Sequence, residues 1–172
     1  MEKQLLNLMI LLTSLLAFNQ PLMSQSNFKE AILKTHNKYR QEVNLSPLTW
    51  SNTLAEDAQK WADHLASLGG DQLKHDPNPN GQGENIWFGT SNQFTYAEMV
   101  DGWGQEKQYF VPGRFNLETV SSTGNWSDVG HYTQIVWKNT KKVGCATSTA
   151  GGNDILVCRY HPQGNIIGQP VY

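Results

Sequence analysis

The sequence predicts an α+β domain. Three stretches with helical apolar spacing come first, and two β-prone runs joined by a Gly-Gly turn come near the end. Size is the third observation. Of 172 residues, those left after an N-terminal leader suit one domain around one core.

The leader is read over residues 1–24 as a secretory signal peptide. Lys3 supplies a positive start, and Leu5–Phe18 is apolar apart from Asn7, Thr13 and Ser14. Pro21 and Ser24 then mark a turn and a small-residue cleavage point. The apolar run is shorter than the ~20 residues of a spanning helix. Secretion is therefore expected, with no transmembrane segment after cleavage and residues 25–172 forming a single domain.

Asn27–Val43 places Phe28, Ile32, Leu33, Tyr39 and Val43 at helical spacing, the first amphipathic helix. Pro47 closes the linker after it. Ser51 is a good N-cap for a second helix, which buries Leu54, Ala58, Trp61, Ala62 and Leu65 and stops at Gly69-Gly70. Asp71–Gly83 is rich in Pro, Gly and Asn and reads as an exposed loop. Thr95 and Glu98 form a capping-box pattern that opens a third helix through Met99 and Trp103 to about Tyr109. Val111–Val129 is irregular. His131–Trp137 suits either a strand or a helical turn, because so short an apolar run carries no decisive period. Lys142–Thr147 and Asp154–Tyr160 read as hairpin strands around Ala150–Asp154, and Gly83–Phe88 as a further strand.

Cys145 and Cys158 lie close together in a chain with a secretory leader. That setting favours a structural disulfide over a metal pair or a redox motif. Closing so short a loop is worth about 3 kcal/mol in the chain-entropy model. A net charge of −2 gives no reason to expect nucleic acid as a partner. Six tryptophans and six tyrosines either fill the core or line a groove.

Two longer segments are more specific. One is Gly130-His131-Tyr132-Thr133-Gln134-Ile135-Val136-Trp137, followed by Gly144-Cys145-Ala146; the other is Cys158-Arg159-Tyr160-His161-Pro162-Gln163-Gly164-Asn165. In that order and spacing they resemble the two signatures of the CAP superfamily, the cysteine-rich secretory, antigen 5 and pathogenesis-related 1 proteins. His36-Asn37-Lys38-Tyr39-Arg40, Gly83-Glu84-Asn85-Ile86 and Trp103-Gly104-Gln105-Glu106 agree with it. The resemblance implies an α-β-α sandwich with a central three-stranded antiparallel sheet between helices, and a short helix at His131. Many members carry two further disulfides that this chain lacks.

The resemblance also implies a cleft built from His75, Glu84, Glu106 and His131. Two neutral imidazoles oriented by carboxylates can hold a divalent metal, with zinc the expected ion, in an open site of modest affinity. The same four could instead serve a metal-dependent or serine-type secreted hydrolase using His131 and Glu106. No Gly-x-Ser-x-Gly or His-Glu-x-x-His occurs, however, and Ser121, Ser122 and Ser127 look like ordinary loop serines. A non-enzymatic role is expected. Lipid or sterol capture, known in relatives, would map to the loop Ile86–Tyr96 with Trp87, Phe88, Phe94 and Tyr96, and an extracellular protein partner is the other option. A monomer is expected. His36 is read as structural, tied to Arg40 or a strand end, while His64 and His161 are left outside the site.

Overall fold

Two helices start where their caps predict. Ser51 accepts from the Leu54 amide at 3.4 Å. Thr95 and Glu98 close a reciprocal capping box, with the Thr95 amide 2.7 Å from the Glu98 carboxylate. The computed structural model describes residues 20–70 and 72–172. The expected leader lies outside them up to residue 19.

Helix α1 spans Gln20–Glu42, α2 Asn52–Ser67, α3 Tyr96–Gly104 and α4 Gly130–Ile135, and 3₁₀ turns follow at Gln105–Tyr109 and Trp126–Asp128. The strands are β1 Thr49–Trp50, β2 Gly83–Thr90, β3 Lys142–Ala150 and β4 Asn153–His161. Helix α1 begins ahead of the Asn27 expected. The α3 helix ends at Gly104 and tightens, because any side chain at Gly104 would collide with the Tyr39 ring of α1.

The sheet has four strands rather than the expected three, in the order β1-β3-β4-β2. The extra strand is short and parallel to β3, held by Thr49 N–H to Lys141 O and Ser51 N–H to Val143 O. Two residues are too few to show any period, so nothing in their pattern announces a strand. The hairpin and β2 are antiparallel as read, and Cys145 and Cys158 face each other directly and form the disulfide.

Period-2 alternation on β4 sorts the core into two layers. Ile155 and Val157 pack with Ala58, Ala62 and Leu65 of α2. Leu156, Cys158 and Tyr160 join Tyr39, Met99, Trp103, Ile135 and Trp137 on the opposite face. This is the sandwich: α2 on one side of the sheet, and α1, α3 and α4 on the other. Gly144 permits the close docking of α2, since a Cβ there would meet the backbone of Ser51 and Ala55. Buried Arg40 clamps the far end of α4, donating to the carbonyls of Ile135, Trp137 and Thr140. A cation there satisfies carbonyls that a six-residue helix leaves open.

Candidate functional site

At the Gly83 end of β2 the two layers part and leave a cleft of about 440 Å³, lined by His75, Asp76, Glu84, Asn85, His131 and Ser127 among others. His131 opens α4. Its ring stacks on Trp103 at 5.8 Å between centroids and 16° between planes. Trp103 and Glu106 are three residues apart and share a face of α3 and its 3₁₀ extension. Glu106 Oε1 lies 2.6 Å from His131 Nδ1, and Oε2 accepts the amides of His131 and Tyr132, both at 2.9 Å.

The second pair is built differently. Glu84 accepts from His75 Nδ1 at 2.6 Å and from the Asp76 amide at 3.1 Å, both on Oε1. On the β2–β4 ladder Glu84 stands directly opposite Arg159. Arg159 Nη2 reaches Glu84 Oε2 at 3.1 Å and Asp76 Oδ2 at 2.6 Å. Arg159 is 1% exposed, so this is a buried charge held between two carboxylates. The contact to Glu84 is Coulombic without hydrogen-bond alignment, leaving Glu84 Oε2 and Arg159 Nε without hydrogen-bond partners among the described residues. Burial pulls the Asp76 carboxyl up, but the Asn78 amide and Arg159 outweigh it and hold it below the usual range.

Each glutamate accepts at Nδ1, so that nitrogen carries the proton and the Nε2 lone pair is left for a ligand. The donor set is that of an open two-imidazole metal site. Among the described residues no group of three or more His, Cys, Asp or Glu side chains is placed to share one ion. An ion here would complete its shell with water.

Behind the site runs a buried chain. His36 accepts or donates at 2.8 Å with the Ile32 carbonyl and, through Nε2, with the Tyr160 hydroxyl. Asn85 donates to both Tyr160 and the His131 carbonyl. His36 is thus tied to a strand end rather than to Arg40.

The sequence-predicted loop Ile86–Tyr96 is mostly something else. Trp87 and Phe88 are strand residues on opposite faces, one against each core layer. Tyr96 opens α3 and packs on Phe28 at 4.7 Å. Only Phe94 is well exposed, edge-on to Trp87. Alternation along β2 splits the aromatic cluster that looked contiguous in sequence.

Sequence reasoning missed Arg159, Asp76 and the cleft's other wall: Phe115, Leu117, Trp126 and Ile167. Arg159 left a signal. A cation amid an apolar strand run, Ile155–Tyr160, demands a carboxylate partner. The apolar wall left none, since its residues come from three irregular segments.

The profile of the cysteine-rich secretory protein family, CAP, matches residues 33–160. The chain belongs to the CAP family. It is 36% identical to pathogenesis-related protein 1C of Nicotiana tabacum over 148 residues, 85% of this chain and 82% of that protein. Venom allergen 5 of Polistes dominula is 33% identical over 84% of this chain and 71% of its own length. The Golgi-associated plant pathogenesis-related protein 1 of Homo sapiens is 36% identical over 85% and 90%. Among solved structures, BmVAL-1 superposes with a TM-score of 0.69 at 26% identity, covering 85% of this chain and 82% of that one. NaASP2, crystallised with Zn²⁺, shares the fold at a TM-score of 0.70, 24% identity and 85% coverage of both chains.

Proposed function

We propose that this CAP protein is secreted and non-enzymatic, and that its cleft holds a divalent ion, zinc by donor type, through His75 and His131 Nε2. The observation that carries the reading is the paired Nδ1–carboxylate contact at 2.6 Å in each His–Glu unit, both on one cleft. Carboxylates fix the tautomer that leaves Nε2 free, and imidazole suits zinc. Bound zinc would supply a Lewis-acidic anchor for an anionic group. Glu84 and Glu106 serve here as orienting groups. No helix among the described residues is long and apolar enough to cross a membrane, which agrees with release from the leader.

The hydrolase reading has less support. Ser127 lines the cleft, yet the described partners of His131 are Glu106 and Asn85, with no hydroxyl among them. A nucleophile needs its base within hydrogen-bond reach.

Zinc titration calorimetry on wild type and on the His75→Ala, His131→Ala double variant tests the proposal. Weak saturable binding in wild type and none in the folded variant is the expected result. Matching isotherms would place the ion elsewhere.

A further inference from the structure

The wall facing the histidines is apolar and open. Leu117 is 43% exposed, Trp126 39% and Ile167 64%, and buried Phe115 lies behind them. Of the eight large hydrophobic side chains exposed among the described residues, these three line this one cleft. They arrive from the loop after the 3₁₀ turn at Gln105–Tyr109, from the Trp126–Asp128 turn and from the segment after β4. Phe115 N–H to Gln169 O, Gly168 N–H to Phe115 O and the Arg114 guanidinium on Gly168 O lace two of those segments together. The wall is therefore built, although no regular element contributes to it.

Opposite it the polar groups are His75, His131, Glu84, Asp76 and Asn85. The cleft is thus divided lengthwise, one side apolar and the other carrying the metal-competent nitrogens. A volume of about 440 Å³ falls within the range of about 300–1,000 Å³ that encloses small ligands.

We infer that the cleft binds a single-chain carboxylate amphiphile, its carboxylate on the ion at His75 and His131 and its hydrocarbon tail along Phe115, Leu117, Trp126 and Ile167. This rests on the metal reading above. Charge complementarity selects the head group. The cleft's own carboxylates, Glu84 and Asp76, repel an anion unless a divalent cation stands between, and hard oxygen donors complete a zinc shell with two imidazoles. The tail is selected by the exposed apolar side chains, whose cover removes them from water. A bulky fused-ring ligand is disfavoured, since the polar wall would face its apolar flank. No bond is made or broken: binding exchanges a metal-bound water for a carboxylate oxygen.

The test uses the mature chain, with and without saturating zinc, and a homologous series of acetate, hexanoate, octanoate and decanoate below their micelle thresholds. With zinc, affinity is expected to rise about fourfold per methylene over part of the series, the ratio for a buried CH₂. Without zinc, or with His75→Ala and His131→Ala, binding of all four should vanish. The Leu117→Ser, Ile167→Ser variant should keep the zinc isotherm and lose the chain-length dependence. Both residues are exposed, so thermal unfolding should be unchanged. A zinc-loaded wild type whose affinity is flat from acetate to decanoate overturns the inference while leaving the metal site standing. Equal decanoate binding with and without zinc also overturns it, because the head group is then not on the ion. Absence of any zinc isotherm fails the underlying reading, and the inference falls with it.

Discussion

Two histidine–glutamate pairs face one cleft, with identical 2.6 Å contacts and opposite foundations. Glu106 is held by backbone: two amides at the start of α4 take its second oxygen. Glu84 is held by charge, through a buried guanidinium shared with Asp76. Exposure inverts between the partners. Glu84 is 5% exposed and its His75 64%, against 18% for Glu106 and 32% for His131. A carboxylate buried that far needs a counter-charge, whereas one at a helix start can rely on dipoles and amides. Equal geometry at the imidazole therefore hides unequal costs of disturbance, and that inequality can be measured.

Arg159→Met should have the largest effect. It leaves Glu84 buried without its counter-ion and frees Asp76, so a loss of about 3–5 kcal/mol is expected. Urea unfolding at pH 7 measures it. A change below about 1 kcal/mol, the range of exposed pairs, would mean that the first pair is no more charge-dependent than the second.

The second pair has its own buried support, and it is sensitive to pH. His36 sits at the root of the chain through Tyr160 and Asn85 to the His131 carbonyl. Burial pushes its pKa down to about 4; the Arg40 charge adds to this, while the Ile32 carbonyl opposes it. Between about pH 6.5 and 4 the unfolded chain binds a proton that folded His36 refuses. Stability is full above pH 6.5 and falls as pH drops towards 4, by about 3 kcal/mol for this group. Unfolding free energies across that window check it. His36→Gln should flatten the slope there, and an unchanged slope would assign the effect to other groups.

The comparison also explains what could be read in advance. Capped helices, the hairpin, the disulfide and the four residues His75, Glu84, Glu106 and His131 were legible, because each has a local pattern or a family position. The fourth strand was not, since two residues at Thr49–Trp50 have no period. The lipid loop misled because sequence adjacency of Trp87 and Phe88 says nothing of the opposite faces to which a strand sends them. Glu84's dependence on Arg159 is a cross-strand relation over 75 positions, visible only once β2 and β4 are in register. Leu117, Trp126 and Ile167 were invisible for a similar reason: irregular segments converge by packing, and no spacing records it.

The smallest expected change in stability carries the sharpest test of the second pair. In Glu106→Gln one oxygen becomes an amide nitrogen. The carbonyl oxygen must keep the place that accepts the His131 and Tyr132 amides, because an NH₂ there would face two donors. The NH₂ is then turned towards His131 Nδ1, which can stay bonded only by becoming the acceptor. The ring proton moves to Nε2, and that nitrogen loses the lone pair a metal needs. Stability should fall by only about 1 kcal/mol, for the lost charge at the start of α4. Zinc affinity should fall roughly 10- to 100-fold, the usual effect of losing such an orienting partner. Nitrogen-15 imidazole shifts report the tautomer directly, without any metal. If His131 in Glu106→Gln still carries its proton on Nδ1 and zinc binds as before, Glu106 does not set the tautomer. The backbone anchor would then position α4 without acting on the histidine.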